Sequence, residues 1–465
     1  MPPSPELRLS PREMVASGLC IGCGSCASAE PRAGMGWNRY GQLEPVGPRE
    51  WLGGRSADLA RRCPFSPVAA NEDLIAAERF PAAPEADERL GRLEACYVGH
   101  AAEPGFRENG SSGGLVSWVA AELLRRREVD AVAHVVPTIP QTEGRFFGFR
   151  LSRTVEELFE GGKSRYYPVE LSAVLREIRA TPGRYAIVGI PCFIKAVHLA
   201  RRMEPVLAER ITHTLGLFCG HMKSARFVES FAWQLGTPLS QVRAVDYRIK
   251  DEGRPANWYR AHLTLDGGST ASEDWWHLAD GDWGAGFFQS AACNWCDDVV
   301  GETADISFGD AWVEPYSSDG RGTNVVVVRS PALAAVLREG IADGRLALEQ
   351  VDADFVADTQ AAGFRHRREG LAYRLSLRRR APVHPLKRVA PGSAGISLRR
   401  KLVYRMRWWI ARWSHRLAWL AHAFDAPALY TGWARRSLRA YQGLTWSNGR
   451  WGAFFDRLFG SAAKS

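Results

Sequence analysis

The pattern of apolar positions divides the chain into short buried strands and amphipathic helices. The apolar run Tyr185 to Ile190 and the run Ile211 to Phe218 read as buried strands, as do Asp305 to Asp310 and the β-branched run Asn324 to Arg329. Between them lie helical patterns. Leu115, Val119 and Leu123, with Val116, Ala120 and Leu124, repeat at i, i+4 spacing, and Val169 to Ala180 predicts a second helix. Alternation of this kind predicts an α+β or α/β body, a mixed α/β domain. Beyond about residue 380 the character changes. Leu402, Met406, Trp409, Ile410, Trp413, Leu417, Leu420 and Phe424 fall on one helical face, and Arg400, Arg407, Arg412 and Arg416 lie outside it.

The chain of 465 residues has room for two or three domains. We expect a small cluster-binding module over 1–90, a larger α/β domain over 91–380, a Pro/Gly-rich linker over 381–397 and a basic, Trp-rich helical tail over 398–465. Pro382, Pro385, Pro391, Gly392 and Gly395 mark the linker. The whole chain carries +9, yet residues 396–465 hold thirteen Lys/Arg against two Asp/Glu, so the tail alone carries +11 and the rest −2. The body therefore gives no support for nucleic-acid binding. The tail suits an interfacial helix on an anionic membrane or a partner subunit, and the alternative is a helix packed on the body. Pro2, Pro3, Pro5 and Glu6 argue against a secretory signal. No apolar stretch of about 18 residues is free of charge; the nearest, Leu417 to Ala434, contains Asp425 and Pro427. The expected location is cytoplasmic, with peripheral contact on the inner membrane face.

Nine cysteines without an export signal point to metal or redox chemistry, not to a disulfide framework. Cys20, Cys23 and Cys26 form a C-x2-C-x2-C run, and Cys63 stands directly before Pro64. That is close to the bacterial ferredoxin run that wraps a cubane iron–sulfur cluster. Gly22 and Gly24 permit the tight turns this needs. Position 30 is Glu and no second triplet exists, so Cys63 closes the same cluster across 36 residues. A structural zinc site is the competing reading, although zinc ribbons favour two separated knuckles. Cys192 and Cys219 follow two predicted strands at their carboxyl ends, where ligands gather in α/β sheets. With Cys293 and Cys296 they complete a second set of four. Zinc, or ordinary burial of Cys192 and Cys219, competes here too. Cys96 reads as a strand-interior residue.

Two glycine-led turns add to this. Gly110, Ser111, Ser112, Gly113 and Gly114 precede a helix whose open amides suit a pyrophosphate, though such a turn is often plain punctuation. Lys163, Ser164, Arg165 and Tyr166 combine two cations with an aromatic ring, either for a phosphate-bearing ligand or as a solvated loop. Lys195, His198 and His221 lie near the second cysteine group, where a structural or surface role outweighs proton relay. No residue set marks a catalytic acid or base.

In this order the motifs resemble the beta-subunit family of coenzyme F420 hydrogenases and dehydrogenases. The resemblance rests on the cysteine triplet with Cys63-Pro64, Gly110 to Gly114, Lys163 to Tyr166, Gly189 to Cys192 and Gly216 to Gly220. It continues through Cys293 and Cys296, Ala304 to Asp310 and Gly322 to Arg329, and spans roughly residues 10–375. It implies an N-terminal ferredoxin-like module joined to an α/β flavin domain, with FAD and two 4Fe-4S clusters. The Gly110–Gly114 turn and the Lys163–Tyr166 loop would then hold FAD, and Cys192, Cys219, Cys293 and Cys296 the cluster beside it. Arg165 departs from the family, which commonly has Lys before Tyr166. The implied activity is that of an oxidoreductase passing electrons between a hydride or ferredoxin-type donor and an acceptor, with ferredoxin or the deazaflavin F420 as carrier. A second function class is an electron-transfer subunit that feeds a partner, of the kind associated with surface polysaccharide synthesis; a third is a structural zinc protein.

Overall fold

A computed structural model describes residues 7–378, 383–385 and 387–461. The expectations placed on Pro2, Pro3, Pro5, Glu6 and Pro382 lie outside these residues. The body is built on one eight-stranded mixed sheet. Its strands are β1 (Ala95–Ala101), β2 (Ala131–Pro137), β3 (Phe147–Ser152), β4 (Tyr185–Gly189), β5 (Ile211–Leu217), β6 (Ile306–Asp310), β7 (Asn324–Val328) and β8 (Leu346–Val351). They lie in the order β8-β1-β7-β6-β5-β4-β2-β3. The four central strands β6, β5, β4 and β2 run parallel, and the flanking pairs are antiparallel.

Alternation along the strands builds two layers. Val132 and Ala186 face the helix α1 (Leu115–Arg125), together with Val326 and Val328. Ala131, Ala133 and Ile187 face the opposite side, against Phe193, Ile194 and Val197 of the helix α2 (Pro191–Met203). The four predicted strands are present, each ending within one or two residues of its expected limits. Cys96 lies buried in β1, as its pattern suggested. The helix expected from Val169 begins only at Ser172. Residues 169–171 stay outside the helix because the Leu171 amide donates to the Cys23 carbonyl at 2.8 Å and Glu170 accepts from the Ser172 amide.

Residues 7–90 form short helices and a small hairpin, Gly34–Trp37 with Leu43–Val46. They are fastened to the body by Arg176, which donates to the carbonyls of Ala27, Glu30 and Ala33, and by Arg179, which donates to Ser28. The segment expected as a linker is tied down where it is described. Lys387 pairs with Asp297 at 3.1 Å, and Arg388 holds Glu302 at 2.6 and 2.7 Å.

The tail forms α3 (Leu398–Ala423), α4 (Pro427–Trp446) and α5 (Gly449–Phe459). It packs on the body through part of the stripe read from the sequence: Ile410 is buried, and Met406 and Leu417 pack against the same core. The buried face of α3 is Tyr404, Ile410, Ala411, Ser414, His415, Ala418 and Ala421, while Trp409, Trp413 and Phe424 are exposed. Small and polar residues make this contact: Ser414 Oγ accepts from the Phe288 amide at 2.8 Å, and His415 bonds the Gln289 carbonyl at 3.1 Å. A pattern of large apolar side chains does not register such a face. Among the described residues no helix is long and apolar enough to cross a membrane.

Arg399 joins the three tail helices. It is buried and donates to the carbonyls of Gly443, Leu444 and Gly460, to Ser447 Oγ and to Asp456 at 2.6 Å. Replacing Arg399 with Ala is expected to cost about 2–3 kcal/mol through the orphaned acceptors. Hydrogen exchange should rise in Gly449–Phe459 well before it rises in β4.

Candidate cofactor and thiol site

The carboxyl ends of β4 and β5, neighbouring parallel strands, deliver Cys192 and Cys219 to one edge of the sheet. Pro191 opens α2, so Cys192 sits in its first turn. Cys293 and Cys296 arrive on a single-turn segment, Ala291–Trp295, and the residue that follows it. These four thiols are electrostatic neighbours. Burial raises the Cys192 thiol well above its ordinary range, and Cys296, Cys219 and Cys293 raise it further. Burial likewise pushes Cys219 up to about 12 and Cys293 up to about 11. The Met222 amide donates to the Cys293 sulfur at 3.3 Å.

The N-terminal four form a second neighbourhood. Cys20, Cys23, Cys26 and Cys63 line a void of about 30 Å³ together with Gly22, Gly24 and Pro64. Gly24 holds φ near 78°, and a Cβ there would lie 2.4 Å from the Glu170 carboxylate, so the loop needs glycine at this point. Burial, then Cys26 and Cys63, drives the Cys20 thiol upward; burial lifts Cys63 to about 11. The two neighbourhoods touch: Cys23 contributes to the rise at Cys192, and Cys23, Cys293 and Cys296 belong to one hydrophobic core against which Cys63 and Cys192 pack. Among the described residues no group of three or more His, Cys, Asp or Glu is arranged to hold a single metal ion.

Against the strand-end thiols lies a cavity of about 1120 Å³, just above the usual range for small-molecule sites, about 300–1,000 Å³. Gly110, Ser111, Ser112 and Gly114 line it, as do Lys163, Ser164, Arg165, Tyr166 and Cys219. Gly113 lies behind the wall, where a Cβ would meet the Gly99 carbonyl and Asn324 at 2.8 Å. The two glycine-led turns are joined directly, since Ser111 Oγ accepts from the Ser164 amide at 2.8 Å. Gly114, with φ near 80°, starts α1 and turns its N-terminus toward the cavity. Lys163 is paired with Asp246 at 2.6 Å. Arg165 lies over the Phe147 ring, and its Nε is buried with no hydrogen-bond partner. Tyr166 packs on Trp283 at 4.7 Å between ring centres, with Trp275 beyond it. The wall thus offers an aromatic face and a helix N-terminus, with the Arg165 guanidinium beside them, a set that fits a planar ring joined to an anionic group.

Sequence reasoning missed a ring of basic residues behind the thiols. Arg367 is buried and donates to the carbonyls of Cys219 and Gly220 at 2.7 and 2.8 Å. Burial opposes its charge, but Cys296, Cys219 and Cys293 hold its pKa above the usual value. His366 and Arg407 line the same cavity. Lys223 is a further omission. It is buried, donates to the Phe287 carbonyl at 2.7 Å and lies 4.9 Å from the Trp283 ring centre. Burial pulls its amine down to about 7, which suits a group that exchanges protons at neutral pH. His221, weighed from the sequence, is stacked on Trp283 at 4.2 Å and has an unpartnered Nε2. Lys195 is instead committed to Glu72 at 3.1 Å, and His198 is within 3.1 Å of Arg201. The basic ring was scattered over distant segments, and only its position on a sheet edge unites it.

The family models match this architecture. Residues 96–176 match the model for the N-terminal part of the coenzyme F420 hydrogenase/dehydrogenase beta subunit, and residues 183–354 match the model for its C-terminal part. The chain belongs to the coenzyme F420 hydrogenase/dehydrogenase beta-subunit family. Both glycine-led turns and the strand-end thiols fall within the family matches; the Cys20–Cys63 group, Arg367 and the tail fall outside them, a narrower extent than the motif resemblance suggested. No curated protein matches the chain. Among solved structures, a chain from the F420-reducing nickel–iron hydrogenase complex of Methanosarcina barkeri is 18% identical, with a TM-score of 0.46, over 61% of this chain and 92% of that one.

Two outcomes follow from the site geometry. At Gly114 a Cβ would lie 2.3 Å from the Phe106 carbonyl. Gly114→Ala should lower stability by about 1–3 kcal/mol in urea unfolding, through strain at positive φ. Lys223 is neutral in the folded chain above about pH 7, whereas the unfolded chain keeps that proton up to about pH 10.4. The unfolded state binds more protons in that window, so this contribution raises stability as pH climbs and is a full penalty below it. Lys223→Met should flatten the rise, as read from urea midpoints between about pH 7 and about pH 9.5.

Proposed function

We propose that the chain is a flavin- and iron–sulfur-dependent oxidoreductase of its family. In this reading FAD occupies the large cavity. Cys192, Cys219, Cys293 and Cys296 hold one 4Fe-4S cluster beside it, and Cys20, Cys23, Cys26 and Cys63 hold a second. The supporting observation is the succession of sites: Cys219 belongs both to the cavity wall and to the strand-end thiols, and Cys192 of that set feels Cys23 of the other. When bound, a flavin supplies two-electron hydride chemistry and cubane clusters supply one-electron steps.

The residues have separable tasks. The turn Gly110–Gly114 and the start of α1 present backbone amides to a phosphate-bearing group, and Arg165 adds an unpartnered nitrogen toward the same ligand. Tyr166 and Trp283 bound a flat ring and exclude water from its face. Lys223 holds or releases a proton at the cavity wall near neutral pH. Buried thiols at these positions would lose their protons to solvent only as iron takes the place of the proton on sulfur, so cluster loading would release protons. Arg367 stabilises the negative charge that remains. The redox partner is a ferredoxin-type carrier or the deazaflavin F420.

Anaerobic purification and reconstitution test this. The expected product binds one flavin and about eight iron atoms, four per cubane, with visible absorbance that dithionite bleaches. Cys219→Ser should lower iron to about four atoms while flavin is retained, and Cys23→Ser should do the same from the other set. Stoichiometric zinc and a colourless protein would sink the reading. Reduction of F420 or ferredoxin by the isolated chain distinguishes an enzyme from a subunit that needs its complex.

A further inference from the structure

We propose that α5 and the adjoining end of the tail hairpin form a docking surface for an anionic lipid bilayer. The surface is not the stripe on α3 read from the sequence. Trp451, Phe454, Phe455 and Leu458 of α5 follow i, i+3, i+4, i+7 spacing and form one apolar face. Trp451, Phe454 and Leu458 are 48%, 50% and 57% exposed. The ring contacts of the α5 aromatics run along the helix itself: Trp451 with Phe454 and Phe455, Phe454 with Phe455, and Phe455 with Phe459.

The helix is anchored from its other side. Gly452 is its one buried residue among those described, pressed against Ser447, and Asp456 is held by Arg399. That anchoring leaves the aromatic row facing outward. Arg399 also places the start of α3 beside this junction, where Leu398 (61% exposed) and Trp446 (59% exposed) are further exposed apolar side chains.

Charge selects the occupant. Arg450 and Arg457 are exposed on α5, and Arg435, Arg436 and Arg439 are exposed on α4. The acidic residues of the described tail are Asp425 and Asp456, and Asp456 is already paired. An aromatic and aliphatic face with Arg at its borders matches a helix lying in the interface of a bilayer that carries negative headgroups. A neutral protein groove would not call for the surrounding positive charge. The rim of the large cavity, at Trp446 and Asn448, lies directly before α5 in the chain. Docking through α5 therefore brings that rim to the lipid surface.

Co-sedimentation of the full chain with vesicles tests the proposal. The chain is expected to pellet with phosphatidylcholine vesicles containing about 30% phosphatidylglycerol, to stay in solution with pure phosphatidylcholine, and to be released by about 0.5 M salt. The double substitution Phe454→Glu with Leu458→Glu should weaken partitioning about tenfold or more. Arg450→Glu with Arg457→Glu, which leaves the apolar face intact, should also weaken it. Phe424→Glu changes another exposed side chain, at the far end of α3, and should bind as the unaltered chain does. Failure to pellet with anionic vesicles overturns the proposal. So does an equal loss from Phe424→Glu, or a dimer that the Phe454/Leu458 substitution turns into a monomer without any vesicle binding.

Discussion

A thiol buried in a protein keeps its proton unless a cation or a metal replaces it. That constraint governs the whole sheet edge. Cys23, Cys63, Cys192, Cys293 and Cys296 share one hydrophobic core, and burial raises each of their thiols. The surroundings answer unevenly. Arg367 stands beside the strand-end set, with two of its nitrogens, Nε and Nη1, unpartnered. Lys387 and Arg388 reach the same region but are neutralised by Asp297 and Glu302. Among the described residues the strand-end set therefore has Arg367 beside it with unpartnered nitrogens, whereas the cations acting on the N-terminal set, Lys195 and Arg62, are bound to Glu72 and Glu204.

The ion pairs of residues 387–388 convert an apparent linker into a strap across the strand-end thiols. Asp297 directly follows Cys296, so the strap fixes the backbone that carries that sulfur. Breaking one partner of such a buried pair typically costs about 3–5 kcal/mol. The pairs thus fix where the end of the body lies against the site, since neither partner can leave without stranding a buried charge. A Pro/Gly-rich composition registers backbone freedom, not the two cations embedded in it.

Much of the body was legible because its signals are local. Tyr185–Gly189, Ile211–Leu217 and Asn324–Val328 announce themselves as apolar runs, and Cys192 and Cys219 stand just past the ends of the first two. Ser111 and Ser164, which join the two glycine-led turns, were also visible as motif residues. The tail was less legible. Its buried face uses Ala411, Ser414, His415 and Ala418, small or polar side chains that allow close approach and pair with the backbone of residues 288 and 289. Lys223, Arg367 and Arg407 were invisible as a group because they converge from three distant segments.

The location of those residues bears on how the family architecture is used. The matches span residues 96–176 and 183–354, which contain the sheet, the glycine-led turns and the strand-end thiols. Arg367 and Arg407 lie beyond them, as do Gln442, Trp446 and Asn448, yet all line the cavity. A shared scaffold thus positions the site and carries Lys163, Arg165 and Lys223 in its wall, while residues outside the matched segments add Arg367, Arg407 and part of the rim. A change in the α3–α4 packing would alter the cavity without touching a strand. The scaffold thus places the thiols and the glycine-led turns, and the tail closes part of the cavity beside them.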